Sequence, residues 1–107
     1  MPSQPRILVT NDDGYTSEGI QVLADALEGL GEIWVVAPDS EQSGVSHALT
    51  LDRPLRIKKL GERRVAVDGT PTDCVALGIS KLILGKPPDL VVSGINFGYT
   101  MGADVHY

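Results

Sequence analysis

The sequence predicts an α/β domain built on a mainly parallel sheet, and three observations carry that prediction. Short apolar runs at residues 7–10, 32–37 and 89–93 are bounded by polar or glycine-containing stretches, the mark of strands buried on both faces. Segments with helical spacing lie between them, and strands alternating with helices imply a parallel sheet with right-handed crossovers. Each run ends in polar residues. Parallel strands bring such ends to one edge of the sheet, where ligands of open α/β folds bind.

Residues 7–10 form the first strand. Residues 17–30 fit a helix, with Thr16 or Ser17 as N-cap. Ile20, Leu23, Leu27 and Leu30 make its apolar face, and Gly31 suits the position just past its end. Residues 32–37 are the second buried strand, and Pro38 opens a polar loop from Asp39 to His47. Residues 48–69 differ in texture. Short alternating runs at Leu55 to Lys59 and Arg64 to Val67 flank Gly61 and suggest a hairpin. A second helix is expected from Thr70 as N-cap, with Pro71 first in the helix and Asp73 in its first turn. It runs to about Leu84, closed by Gly85, Pro87 and Pro88. Residues 89–93 are the third buried strand, and a glycine-rich loop from Gly94 to Tyr107 follows. With no repeat, low-complexity tract or linker, residues 1–107 read as one domain. A doubly wound sheet would continue with a covering helix. The expectation is therefore a fold incomplete at its C-terminal end, with the strand at 89–93 exposing an edge or a face.

A net charge of -5 and a pI of about 4.8 argue against a broad nucleic-acid-binding face or a polybasic membrane surface. Met1 to Arg6 is too short and polar for a signal peptide, and no apolar run approaches the ~20 residues of a membrane span. The lone Cys74 cannot close an internal disulfide, so a cytoplasmic location is expected. Its apolar helical surroundings read as inert core packing rather than a reactive thiol.

The chemistry gathers on three loops: Asn11-Asp12-Asp13-Gly14, Pro38 to Gly44, and Ser93 to Gly98. Adjacent carboxylates at Asp12 and Asp13 repel, and a hard divalent cation would offset that charge. With a hydroxyl at Ser43 and an amide carbonyl at Asn96, the donors are all oxygen, which suits Mg²⁺, Mn²⁺ or Ca²⁺. No His or Cys cluster points to zinc or an iron–sulfur centre. Glycines at 14, 44, 94 and 98 let backbone N–H groups approach a phosphate closely. Each residue also has a plain reading: solvated or capping acids, a turn asparagine, a loop hydroxyl. His47 reads as a surface histidine, and Asp104 and His106 lie in a terminal segment expected to fray. The Walker pattern is absent, and no Gly-x-Gly-x-x-Gly fingerprint follows the first strand.

Four stretches in order, Ile7 to Gly14, Val36 to Asp39 with Gln42-Ser43, Gly69 to Val75, and Val92 to Asn96 with Gly98, closely resemble the SurE family, the stationary-phase survival nucleotidases. The resemblance implies a Rossmann-like α/β/α sandwich whose C-terminal elements exchange between subunits, hence a homo-oligomer, dimer or tetramer. It implies a metal-dependent phosphatase acting on nucleoside 5′- and 3′-monophosphates, with some members trimming short polyphosphate. The ligands of one divalent ion per subunit map to Asp12, Asp13, Ser43 and Asn96. Asp12 and Asp13 are the candidate catalytic residues, and Asn11, Gly44, Gly94 and Asn96 the candidate cofactor-binding residues. The chain departs from the family at Thr100, where asparagine is usual. Family members run to roughly 250 residues, with a Ser-Gly-Thr stretch after the position of Tyr107, so the match covers the N-terminal part. One alternative is a non-catalytic fragment that binds metal or phosphate or assembles with another chain. Another is a Mg²⁺-binding receiver domain, disfavoured because the strand ending at Ser93-Gly94 carries no phosphate-accepting Asp. A haloacid-dehalogenase-type phosphatase, which needs acids two residues apart, is disfavoured by Gly14.

Overall fold

The computed structural model describes residues 4–41, 49–82, 87–95 and 104–106. Six strands form one sheet in the order β3-β4-β2-β1-β5-β6. They are β1 (Arg6–Thr10), β2 (Glu32–Pro38), β3 (Ile57–Gly61), β4 (Arg64–Val67), β5 (Leu90–Ser93) and β6 (Asp104–His106). β1 pairs parallel with both β2 and β5, and β2 pairs parallel with β4. The two edge strands are antiparallel. Helix α1 (Glu18–Leu27) continues into a 3₁₀ turn, Glu28–Leu30, and helix α2 (Pro71–Leu77) into a π-helical turn, Gly78–Leu82.

The apolar runs bury both faces of the sheet. Ile7, Val9, Val35, Ala37 and Val92 face α1, where they pack with Ile20, Leu23 and Ala24. Leu8, Val36, Val65 and Val67 face the other way, onto Cys74 of α2 with Val75 and Leu77 beside it. Alternate residues of β1 thus serve opposite layers, which is why the run cannot be amphipathic. The expected α/β/α layering follows. Cys74 is the core residue its surroundings suggest, fully buried, and burial pushes its thiol up to about 12.

Several expectations are corrected. The expected hairpin is present, β3 pairing antiparallel with β4, but it does not stand apart from the sheet: β4 lies beside β2 as an interior parallel strand, with Val65, Ala66 and Val67 all buried. Its four residues are too few to separate a buried run from a two-residue alternation. The second helix changes at Gly78 from α to π and continues to Leu82, and residues 83–86, where its end was expected, lie outside the described residues. Asp104–His106 is a strand, not a loop. It covers the edge of β5 expected to be open, pairing Val91, Val92 and Ser93 with His106, Val105 and Asp104. Three residues carry no strand pattern of their own, and the hydrogen bonds of a waiting edge decide their conformation.

Gly31 sits just past the end of the first helix, but not for a left-handed cap, since its φ is 174°. The constraint is steric. A Cβ there would lie 2.3 Å from the Pro5 carbonyl oxygen, which accepts the Glu32 N–H at 2.8 Å. Backbone cannot yield as a side chain can. Gly31→Ala is expected to cost about 1–3 kcal/mol, read as a shift in urea midpoint with unchanged slope.

Candidate metal centre

β1 ends where its apolar pattern ends, at Thr10, and Asn11 begins the turn into α1. Asn11 is completely buried. Its Nδ2 donates to the Gly14 carbonyl at 2.9 Å and to Ser17 Oγ at 2.9 Å, and its Oδ1 accepts the Gly14 N–H at 3.1 Å. Ser17 Oγ also accepts from the Ile20 N–H at 3.2 Å, capping α1. Gly14 has a φ of +101°, a conformation that glycine adopts without the strain a Cβ would bring. The next N–H, of Tyr15, donates to the Pro38 carbonyl at 2.9 Å and ties the turn to the end of β2. Asp12 and Asp13, both half-buried, lie between the bridged residues.

The neighbouring strands deliver their ends to the same edge. Ser93 is in register with Thr10, and the Gly94 N–H donates to the Thr10 carbonyl at 3.0 Å. On the far side of β2, the Asp39 N–H donates to the Val67 carbonyl at 2.8 Å. The end of β4 and the start of α2 therefore join this edge as well. Asn11, Asp12, Asp13 and Gly94 are thus gathered along one edge. Ser43, Gly44 and Asn96 lie outside the described residues, as do His47, Gly98 and Thr100.

The described donors form part of a site rather than a whole one. Among the described residues no group of three or more His, Cys, Asp or Glu could hold a metal ion. Two adjacent carboxylates at a half-buried edge are nonetheless hard oxygen donors, and they fit a hard divalent cation. Arg6, which pairs with Glu32 at 3.5 Å, sits at the opposite end of β1, roughly 13 Å from Thr10 along the extended strand.

A residue read only as an acid in the first turn of the second helix has a larger structural role. Asp73 is 1% exposed. Its carboxylate accepts from the Thr70 N–H at 2.8 Å, the Thr50 N–H at 2.7 Å and the Thr50 hydroxyl at 2.5 Å. The Asp73 N–H donates back to Thr70 Oγ1 at 3.1 Å, completing a capping box. Burial alone raises this carboxyl's pKa. The hydrogen bonds from Thr50 and Thr70 outweigh it and hold the group below its usual value. The Thr70-x-x-Asp73 spacing announced the cap, but nothing in the sequence pointed to Thr50, 23 residues away.

The motifs that build this edge recur in known proteins. The model of the family described as "Survival protein SurE" matches residues 7–107. The chain belongs to the SurE family. It is 57% identical over its whole length to a "5'-nucleotidase SurE" of Myxococcus xanthus, covering 41% of that protein. To the protein of the same name from Geotalea daltonii it is 59% identical over 95% of the chain, again covering 41% of the relative. A crystal structure of the SurE protein from Aquifex aeolicus superposes with a TM-score of 0.84 at 52% identity, over 88% of this chain and 38% of the other. This SurE-family chain therefore spans about two-fifths of the length of the curated relatives it matches. Among the described residues, no helix is long and apolar enough to cross a membrane.

Proposed function

We propose that this SurE-family segment supplies the acidic metal-binding part of a phosphomonoesterase. Its substrates are nucleoside 5′- and 3′-monophosphates, with short polyphosphate as a further substrate. The observation that carries the reading is the Asp12–Asp13 pair, held on a buried brace at the edge where β1, β2 and β5 end. It stands in a chain whose matched relatives bear the name of a 5′-nucleotidase. The reading includes Mg²⁺ or Mn²⁺ as the ion, a cytoplasmic location and a homo-oligomer.

In this proposal Asp12 and Asp13 hold one divalent ion, with the Ser43 hydroxyl and the Asn96 side-chain carbonyl as further ligands. When bound, the ion neutralises phosphate charge and lowers the pKa of water. The chain's own groups do the rest. One carboxylate of the pair accepts the proton of the water that attacks phosphorus in line with the leaving nucleoside oxygen. Backbone N–H groups around Gly44 and Gly94 donate to the equatorial oxygens as charge builds on them. Both glycines suit that close approach, and Gly94, with a φ of +145°, already takes a conformation side chains resist.

The deciding experiment is phosphate release from a panel of nucleoside 5′- and 3′-monophosphates. It is run on this chain alone and on a protein of family length carrying it. Hydrolysis that chelation abolishes and that Mg²⁺ or Mn²⁺ restores is the expected result. A family-length protein inactive with every divalent ion, or one indifferent to chelation, would overturn the reading.

A further inference from the structure

The buried side chain beside the acid pair has a role distinct from that of the pair. We propose that Asn11 is a positioning residue. Its amide, bonded to both backbone groups of Gly14, sets the backbone from which Asp12 and Asp13 reach the divalent ion, and it touches neither ion nor substrate. The proposal rests on the metal site described above and goes beyond it, since the sequence alone grouped Asn11 with the candidate cofactor-binding residues.

Three observations carry it. Asn11 is 0% exposed, so a ligand at the sheet edge cannot reach it without displacing the turn. Both Nδ2 hydrogens have acceptors inside the turn, the Gly14 carbonyl and Ser17 Oγ. Its Oδ1 takes the Gly14 N–H. A primary amide can donate to the carbonyl and accept from the N–H of one residue at once, whereas a carboxylate lacks the donor and an apolar side chain lacks both. The bonds close a ring over residues 12 and 13. Gly14 is further fixed because its carbonyl accepts the Ser17 N–H at 3.2 Å and the next N–H is bound to Pro38. Adjacent carboxylates repel when no ion is present, and a turn not braced in this way would relax by swinging them apart. The amide fixes the backbone of the pair in advance, so less ordering remains for the ion to impose.

The test is Mn²⁺ affinity, read from the paramagnetic resonance of free Mn²⁺ with the family-length protein, so that it stands whichever nucleotide is hydrolysed. Asn11→Leu keeps the branching and the number of heavy atoms and removes all three hydrogen bonds, and it is expected to weaken Mn²⁺ binding about tenfold or more. Should that variant fail to fold, Asn11→Ser is read instead. Its hydroxyl can serve one Gly14 group, and a several-fold loss is expected. Asn11→Asp is expected to bind more weakly than the parent, because it loses the donors. A direct contact with the ion requires the opposite, since the variant adds a carboxylate. Ser17→Ala removes the helix cap but leaves the ring on Gly14, so its melting temperature should fall while Mn²⁺ affinity stays within about twofold. Parent-like binding by the Asn11 variants overturns the proposal, as does a loss in Ser17→Ala equal to that in Asn11→Leu. A parent that binds no Mn²⁺ overturns the metal site itself, and this role with it.

Discussion

Asp12→Asn in the family-length protein is expected to lower kcat/KM for nucleoside monophosphate hydrolysis by about a hundred- to a thousandfold, and Asp13→Asn by a similar factor. That is about 3–4 kcal/mol of transition-state stabilisation, the scale for removing one preorganised electrostatic element of a catalytic site. The isosteric amide keeps the shape of the turn and removes one negative charge from a pair that is adjacent in sequence and half-buried. The same substitution relieves repulsion when no metal is bound, so the metal-free variant should melt at a higher temperature than its parent. It should also lose most of the further rise that Mn²⁺ gives the parent, because an ion that binds only the folded state stabilises by an amount that grows with the logarithm of its affinity. Opposite signs for stability and activity separate this role from a structural one. A carboxylate needed only to cap or solvate the loop would lose stability on amidation and leave turnover alone. Parallel thermal melts with and without Mn²⁺, beside initial rates, read both signs at once.

The legible parts of the fold are those in which local chemistry and tertiary packing agree. β1 and β2 are continuous apolar runs because each contributes to both core layers. Ser17 and Thr70 announce their helices because capping is a local transaction between a side chain and an N–H three residues on. The convergence of the acid pair with β5 was legible too, since parallel strands admit few other arrangements. What escaped was decided at a distance. β4 is half of the expected hairpin, but so short a run does not announce that β2 lies on its other side. β6 exists because β5 offers it an edge. Gly31 looks like a helix terminator, yet its reason lies in the Pro5 carbonyl on a different element. At the site, Asn11 looked like another polar donor for a ligand. Only its three hydrogen bonds reveal a side chain spent on the turn itself.

Asp73→Asn is expected to cost about 2–4 kcal/mol of folding stability, a large part of the ~5–15 kcal/mol that holds a typical domain together. The carboxylate accepts from three directions, two of them from Thr50 and one from the Thr70 N–H. An amide can present an acceptor to only part of that set, and its NH₂ then faces another N–H in a site with almost no access to water. The loss should depend on pH with a defined sign. The group's pKa in the folded protein is lowered from 3.8. Its stabilisation is therefore complete well above pH 3.8 and declines as pH falls through the lower, folded value. Urea unfolding of the parent between about pH 7 and pH 2.5 should show that decline, and Asp73→Asn should show a shallower one, because it has no proton to take up. Thr50→Val removes one of the three donors and keeps the side chain's shape. Combined with Asp73→Asn, it should cost less than the sum of the single losses, a coupling of about 1 kcal/mol. Additive losses would mean that the contact between Thr50 and Asp73, which joins the segment after β2 to the start of α2, carries no energy of its own.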